Sequence, residues 1–247
     1  MTSITVEEEY VLSSYNNISE QFDQSRDRIW KTTKQQFLFL FKELSTIKFL
    51  RIVELGCGNG RNLIAFKNMY SSYKSIEQQL EIIAIEPCEK LHKIMQSKNK
   101  INNFFFDHII NCGHFSDKLN QFKNTNNLVL SVAVIHHLSS IERRILAIQE
   151  LVSLAVANGY IIIQVMALHP ERCNDGWKIL NEKTNDFLIP WIRTGDYRYY
   201  HLFEKGELEN LIHQVDNVKI IHSFEDRSNY GVVLQKQSKN IKNDIKI

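Results

Sequence analysis

The sequence predicts an α/β fold: a mostly parallel sheet with an antiparallel closing strand and helices on both faces. Three observations carry this. Residues 51–63 read Arg-Ile-Val-Glu-Leu-Gly-Cys-Gly-Asn-Gly-Arg-Asn-Leu, an apolar run that breaks on Gly56, Gly58 and Gly60 and resumes at helical spacing. Short apolar runs and helix-period segments then alternate along the chain, the pattern of parallel strands joined by crossover helices. One run, 128–135, is apolar but for Ser131, as a strand covered on both sides should be.

With 247 residues, 43% of them hydrophobic, the chain is expected to form one domain over 1–247 with an ample core and no dividing linker. Its 30 basic and 28 acidic residues leave a net charge of +2, which neither demands nor excludes nucleic acid. Cys57, Cys88, Cys112 and Cys173 are far apart with no Cys-x-x-Cys pair, so neither a disulfide framework nor a metal site is expected. That usage fits a reducing, cytoplasmic setting. No apolar run approaches the roughly 20 residues of a membrane span. Glu7, Glu8 and Glu9 are the reverse of a basic signal segment.

The elements follow in order. Over 5–47, Val6, Tyr10, Leu12, Tyr15, Ile18 and Phe22 recur at helical spacing, and Asn16-Asn17 is expected to break the run. Ser25 is read as the cap of a second helix over 28–44, with Phe37, Leu38, Leu40, Phe41 and Leu44 inward. Arg26 stands at its start, either a solvated charge or a functional cation. A strand over 52–55, the glycine turn and a helix over 62–69 come next. A strand over 80–85 closes on Glu86, a helix covers 91–97, and a third strand spans 104–110. The strand over 128–135 ends in His136-His137. Ser139-Ser-Ile-Glu142 has the form of a capping box, opening a helix with Ile141, Ile145, Ile148, Leu151 and Val152 inward. Asn158-Gly159 is the expected stop, and 160–165 the fifth strand. Residues 168–200 show no period; Trp191, Tyr199 and Tyr200 lie there among charges. A long segment after a strand's carboxyl end suits a lid over an acceptor, or a small aromatic subdomain. A helix over 204–215 and an antiparallel pair, 218–224 with 230–235, close the fold. Residues 236–247 read as a solvated basic tail carrying Lys236, Lys239, Lys242 and Lys246.

The glycine turn is where chemistry is expected, since glycines expose main-chain N–H groups to a ligand. Glu54, ahead of the first glycine, selects among ligands. A carboxylate there repels the pyrophosphate of a dinucleotide but suits the cationic amino and sulfonium groups of S-adenosylmethionine. Glu86, at the end of the next strand, suits ribose hydroxyls. The plain alternatives are a solvent-facing Glu54 in an ordinary turn and a capping Glu86.

Five segments extend this reading. They are Tyr15-x-x-Ile18-x-x-x-Phe22-x-x-x-Arg26 with Trp30; Glu54 to Leu63; Ser131-Val-Ala-Val-Ile-His-His-Leu-Ser139 with Glu142-Arg-Arg144; Phe187-Leu-Ile-Pro-Trp191 with Arg198-Tyr-Tyr-His-Leu-Phe203 and Gly206-Glu-Leu208; and Asp226-Arg-Ser-Asn-Tyr230. Together they make the chain, from about residue 9 to 235, similar to class I S-adenosylmethionine-dependent methyltransferases. More narrowly, it resembles the eukaryotic tRNA methyltransferases that esterify 5-carboxymethyluridine at the wobble position. Three places depart: no acid follows the third strand near Gly113 until Asp117, Asn126-Asn127 replaces an aromatic-Asp pair, and Ala157-Asn158-Gly159 replaces Pro-Gly-Gly.

The resemblance implies a Rossmann-like class I sheet and S-adenosyl-L-methionine held by Glu54, Gly56, Gly58, Gly60, Glu86 and Val132. It implies Arg26 and Arg198 as orienters of the acceptor carboxylate or a nearby phosphate, with His136 at the strand end, unless that histidine only packs or caps. Trp191, Tyr199 and Tyr200 would meet anticodon-loop bases, one tyrosine being core. A carboxylate acceptor, with a pKa of about 4, needs no base to deprotonate it. The implied partners are the tRNA anticodon loop and a small zinc-finger-containing activator, docked on the apolar edge strand that begins Phe104-Phe-Phe106. A small-molecule methyltransferase and a catalytically silent methyltransferase-like subunit are the alternatives.

Overall fold

The computed structural model describes residues 6–75, 77–101, 105–169, 176–226 and 228–238. Phe104, Cys173, Arg227, the tail lysines 239, 242 and 246, and residues 170–175 of the 168–200 segment lie outside them.

Glu8–Ser13, a π-helical stretch, runs straight into α1 (Ser14–Ser25), so Asn16-Asn17 breaks nothing. Both side chains reach off the helix: Asn16 Oδ1 accepts from the Lys90 N–H at 3.2 Å, and Asn17 Nδ2 donates to Asp196 at 3.1 Å. Asn16 also donates through Nδ2 to the Leu12 carbonyl one turn back, at 3.0 Å, a bond the helix itself accommodates. Ser25 ends this helix instead of capping the next, because α2 (Lys31–Leu44) begins after Trp30 with no side-chain cap. Phe37, Leu40, Phe41 and Leu44 are buried on it, whereas Leu38 is exposed. A helix buries one stripe, and the apolar run 37–41 is wider than that stripe.

The chain continues through β1 (Phe49–Leu55), α3 (Arg61–Tyr70), β2 (Gln79–Ile85), α4 (Glu89–Ile101), β3 (His108–Ile110), β4 (Asn126–Val132), α5 (Ile141–Leu154) and β5 (Ala155–Met166). It ends with β6 (Lys178–Asn181), β7 (Asp186–Pro190), β8 (Tyr197–His201), α6 (Glu207–Ile212), β9 (Val218–Asp226) and β10 (Asn229–Lys236). The main sheet has the order β3-β2-β1-β4-β5-β10-β9, and β10 runs antiparallel to both its neighbours. β1, β2, β3, β4 and β5 pair in parallel. The strand order reverses between β1 and β4, as the Rossmann-like sheet implied by the resemblance requires.

Alternation along the strands builds two cores. Ile52, Ile82 and Leu130 face α2 and α3, where Phe37, Phe41 and Phe66 pack edge to face with centroids 5.1 and 5.3 Å apart. Val53, Ile83 and Val129 face α5 and α6. Burying each such side chain stabilises the fold by about 1.5–3 kcal/mol.

Further expectations need correction. The third strand is His108–Ile110, not 104–110, because Phe106 turns inward and fills the space beside Gly60 and Met95. The fourth strand stops at Val132: Ala133 takes a left-handed φ of 63° and Ile135–His137 form a 3-10 turn. The cap of α5 is Ser140, whose Oγ accepts from the Arg143 N–H, while Ser139 is drawn off to Glu7; Ile141 is consequently exposed. That helix ends at Leu154, and Asn158, with φ 63°, lies inside β5 where its register against β4 shifts. Among the described residues, the aperiodic segment contains a second sheet, β6-β7-β8, antiparallel throughout.

Candidate donor and acceptor cavity

A cavity of about 1060 Å³ opens over the carboxyl ends of β1, β2 and β4 and extends to β8, under α1. Ligands of open α/β sheets bind at this crevice.

The donor-side wall is made by the glycine turn and Glu86. Glu86 Oε2 accepts the Gly58 N–H at 2.7 Å and Oε1 the Cys88 N–H at 2.8 Å. Burial pushes its pKa up to about 7 against those two bonds. Gly58 and Val132 line the wall, and so does Gly56. Gly60 does not; its φ is 77°, and a Cβ there would lie 2.6 Å from the Phe106 ring, so this glycine serves packing. Glu54 also sits below the wall. Strand alternation points it to the face that α3 covers, where its Oε1 accepts from Asn62 Nδ2 at 2.7 Å. Burial raises its pKa to about 8, and its Oε2 has no donor in the protein. A cationic ligand in the adjoining cavity fits that orphaned oxygen.

The acceptor side is a cluster of cations and rings. Arg198 is buried, with its guanidinium 4.9 Å from the Trp191 ring centroid and 5.2 Å from that of Tyr200. Arg26 lies over the same indole, 5.3 Å from the ring centroid, and is solvent exposed. Both line the cavity. Trp191 itself stands behind them, its Nε1 donating to Gln21 Oε1 at 2.8 Å. Tyr200 is on the wall, but Tyr199 is core: its hydroxyl donates to Asp186 at 2.7 Å, away from the cavity.

His136 and His137 are both buried and held neutral by that burial, His137 with a pKa near 3. His136 Nδ1 accepts the Met166 N–H at 3.0 Å, so the neutral ring carries its proton on Nε2. His137 Nδ1 donates to the Tyr199 carbonyl at 2.7 Å, which leaves Nε2 to accept the Tyr15 hydroxyl at 3.0 Å. Neither ring has a lone pair free to take a proton from a substrate.

Several wall residues were not legible as such. Arg61 lines the cavity between Glu54 and Arg26, and its Nη1 is buried without a partner. Tyr15 and His114 are also on the wall. Arg61 lies within the glycine stretch, so a basic residue opening the helix was the available signal. The Asp226 motif works structurally: its carboxylate accepts from Thr32, Ser228 and Asn229, tying the β9–β10 turn to α2. The replacements Asn126 and Asn127 serve strand ends: Asn126 Nδ2 donates to the Leu154 carbonyl, and Asn127 Oδ1 accepts from the Arg51 N–H.

A model of the methyltransferase domain family matches residues 20–217. The chain is 28% identical to the tRNA (carboxymethyluridine(34)-5-O)-methyltransferase of Schizosaccharomyces pombe, over 94% of this chain and 99% of that one. It is 25% identical to the Xenopus tropicalis protein of that name over 94% of this chain, but spans only 41% of the frog protein's length. Among solved structures, an S-adenosylmethionine-dependent methyltransferase from Clostridium acetobutylicum superposes with a TM-score of 0.60 at 10% identity, covering 91% of this chain and 99% of that one. A Burkholderia thailandensis 1,6-didemethyltoxoflavin-N1-methyltransferase, solved with S-adenosylhomocysteine, gives 0.59 at 11% identity, covering 92% and 88%. At such identities these two establish shared fold. No helix among the described residues is long and apolar enough to cross a membrane.

Proposed function

This chain belongs to the methyltransferase domain family, and on that premise we propose that it methylates the carboxylate of 5-carboxymethyluridine at the wobble position of tRNA, with S-adenosyl-L-methionine as donor. The observation that carries the reading is the acceptor side of the cavity. Arg26, Arg61 and Arg198 supply positive charge there, and both histidines are neutral with their lone pairs occupied. Such a wall suits an acceptor that is already an anion, and neither His136 nor His137 offers a free lone pair to deprotonate an amine or hydroxyl.

The donor supplies an electrophilic methyl group on a sulfonium. Glu86 accepts from ribose hydroxyls with its remaining lone pairs, and the buried Glu54 carboxylate complements the donor's positive charge. Arg198, with its planar fork stacked between Trp191 and Tyr200, grips and orients the carboxymethyl group. Arg26, more exposed, meets the nearby phosphate. His136, through Nε2–H, donates a hydrogen bond to the acceptor and does not act as a base. α1 closes over these groups and excludes water, which lowers the cost of exposing a charged nucleophile to the methyl group.

The relatives' shared name supports the substrate. So does the aromatic wall, Tyr200 with Trp191 behind it, which suits stacking against anticodon-loop bases. Residues 168–200 are assigned the lid, within one catalytic unit over 1–247, and the setting is cytoplasmic. A small zinc-finger-containing activator is the proposed protein partner, at the open edge next to β3. The bare phenylalanine edge expected from sequence is not its basis, since Phe106 is buried and Lys67 Nζ stands 4.9 Å from the Phe105 ring centroid. Co-purification with the activator, lost on Ile109→Lys, is the expected outcome.

The function is tested by incubating the chain with undermodified tRNA and labelled donor, then analysing nucleosides. The expected product is the methyl ester of 5-carboxymethyluridine. Label in any other nucleoside, or transfer only to small metabolites, overturns the reading.

A further inference from the structure

Arg144, His201 and Glu207 belong to the sequence motifs but not to the cavity wall, and the fold brings them together behind its acceptor side. His201 ends β8, directly opposite Asp186, which begins β7. Alternation along β8 sends Arg198 and Tyr200 to the cavity and Tyr199 and His201 to the other face. There the imidazole, its side chain only 4% exposed, is held at both nitrogens. Nδ1 lies 3.1 Å from Asp186 Oδ1, and Nε2 lies 2.6 Å from Glu207 Oε1 at the start of α6. Both carboxylates are fixed by other donors. Asp186 accepts the Tyr199 hydroxyl at 2.7 Å and the Thr184 hydroxyl at 2.6 Å, and Glu207 Oε2 accepts the Glu204 N–H at 3.0 Å.

An ionised carboxylate can only accept, so bonds to both require a proton on each ring nitrogen. The ring is an imidazolium. Burial works against that charge, and Asp186 and Glu207 outweigh it, raising the pKa above the ordinary 6.5. Arg144, buried on α5, adds a second cation: its Nη1 donates to the Leu138 carbonyl at 2.9 Å, and its charge acts on both His201 and Tyr199. Two cations thus balance two anions, as a buried cluster of charges must. The consequence falls on the opposite face of the strand. Leu208, Leu211 and Ile212 of α6 sit in the main core, so the imidazolium joins the β7–β8 hairpin to that core one residue beyond Tyr200.

We propose that His201 is a positioning residue for the acceptor: an imidazolium clamp between Asp186 and Glu207 that anchors β8 from behind and so holds Arg198 and Tyr200 toward the cavity. This rests on the acceptor being the carboxymethyl group of tRNA. Arg144 serves the same cluster by balancing its charge.

The test combines nuclear magnetic resonance of the histidine ring nitrogens with steady-state kinetics. In the native chain at neutral pH both nitrogens of His201 should carry protons, the signals being assigned by their loss in His201→Gln. That variant points an amide donor at one carboxylate and an amide oxygen at the other. Its KM for tRNA bearing 5-carboxymethyluridine should rise about tenfold, the worth of one hydrogen bond to a charged group. Its kcat and its affinity for S-adenosylhomocysteine should hold, because bound acceptor draws Arg198 back into place. Adding Glu207→Gln should return KM to within about twofold of native, since the second amide donates to the first and no cation is needed; a role in packing alone predicts that the losses add. Should His201→Gln fail to fold, Glu207→Gln alone serves: it should keep the native KM while its ring holds one proton fewer at neutral pH. A bare ring nitrogen in the native chain, additive losses in the double variant, or a raised KM or a still doubly protonated ring in Glu207→Gln overturns the clamp. A native chain that transfers no methyl group to this tRNA overturns the acceptor reading itself, and the role of His201 with it.

Discussion

Glu54 and Glu86 owe their behaviour first to burial and only then to their partners. Their pKa values, about 8 and about 7, stand above the ordinary 4.5 because desolvation outweighs the bonds from Asn62, Gly58 and Cys88. Raised carboxylates mean that the folded, ligand-free chain holds protons more tightly than the unfolded chain. The stability they contribute is complete below about pH 4.5 and is lost as pH rises through about 7 and 8. Thermal melts of the ligand-free chain should therefore fall between these limits. Glu54→Gln should flatten that fall and gain on the order of 3 kcal/mol at pH 8. S-adenosylhomocysteine, whose amino group supplies positive charge, should restore part of the lost stability in the native chain but less in the variant; equal melting profiles would contradict a buried, titrating Glu54. On the acceptor side, Arg198→Lys keeps the charge but loses the stacked fork. Single-turnover methylation should drop at least tenfold while the affinity for S-adenosylhomocysteine holds, since a point charge cannot copy bidentate grip. Loss of donor affinity in step with the rate would return Arg198 to the donor site.

Elements were legible where one local pattern set them. β1, β2, β4 and β5 are apolar runs buried on both faces, and the glycine turn opens α3 with three positive-φ glycines. The β6-β7-β8 sheet was not, because β6 is exposed along its whole length and Tyr-Arg-Tyr-Tyr-His in β8 has no clean alternation. Its strands are defined by pairing, which composition does not reveal. The phenylalanines before β3 misled for a related reason: an apolar run was read as strand, while Phe106 is held by a loop because Gly60 leaves room for its ring. That contact is testable. Gly60→Ala places a Cβ 2.6 Å from the ring at a φ of 77°, so at least about 2 kcal/mol of stability should be lost in urea unfolding. Phe106→Leu in the same chain should recover part of it by removing the clash, leaving only the backbone strain. Site residues follow the same division. Glu86, Arg26 and Arg198, which line the cavity, stand at a strand end and in motifs, whereas Tyr15 and His114 are held on its wall by His137 and Glu150, partners 122 and 36 residues away.

At the scale of the molecule, α1 ties the two halves of the cavity together. Ser14 Oγ donates to the Tyr197 carbonyl at 2.6 Å, Asn16 accepts from Lys90 after β2, Tyr15 bonds His137 after β4, and Gln21 holds Trp191. One helix thus fixes the donor loop, the histidine turn and the small sheet against one another. This arrangement decides the pH dependence of the chemical step. The Tyr15 hydroxyl occupies His137, the Met166 N–H occupies His136, and burial keeps both rings neutral across the working range. The arginines remain charged throughout. Neither histidine on the acceptor side gains a proton between about pH 6.5 and 9, because burial lowers both, and an acceptor carboxylate is ionised over that whole range. The single-turnover rate, measured at saturating donor so that titration of Glu86 affects binding and not transfer, should therefore be flat across it. A rise of one decade per pH unit near neutrality would require a base, and for His136 or His137 to act as one it would have to exchange the hydrogen bonds that hold it. Tyr15→Phe distinguishes the cases, because it frees His137 Nε2 without removing the aromatic ring. If transfer to a carboxylate needs no base, the variant keeps the flat profile and loses rate only through looser closure of α1; a new limb appearing with the freed nitrogen would mean that an ionisable acceptor, not a carboxylate, had been using the site.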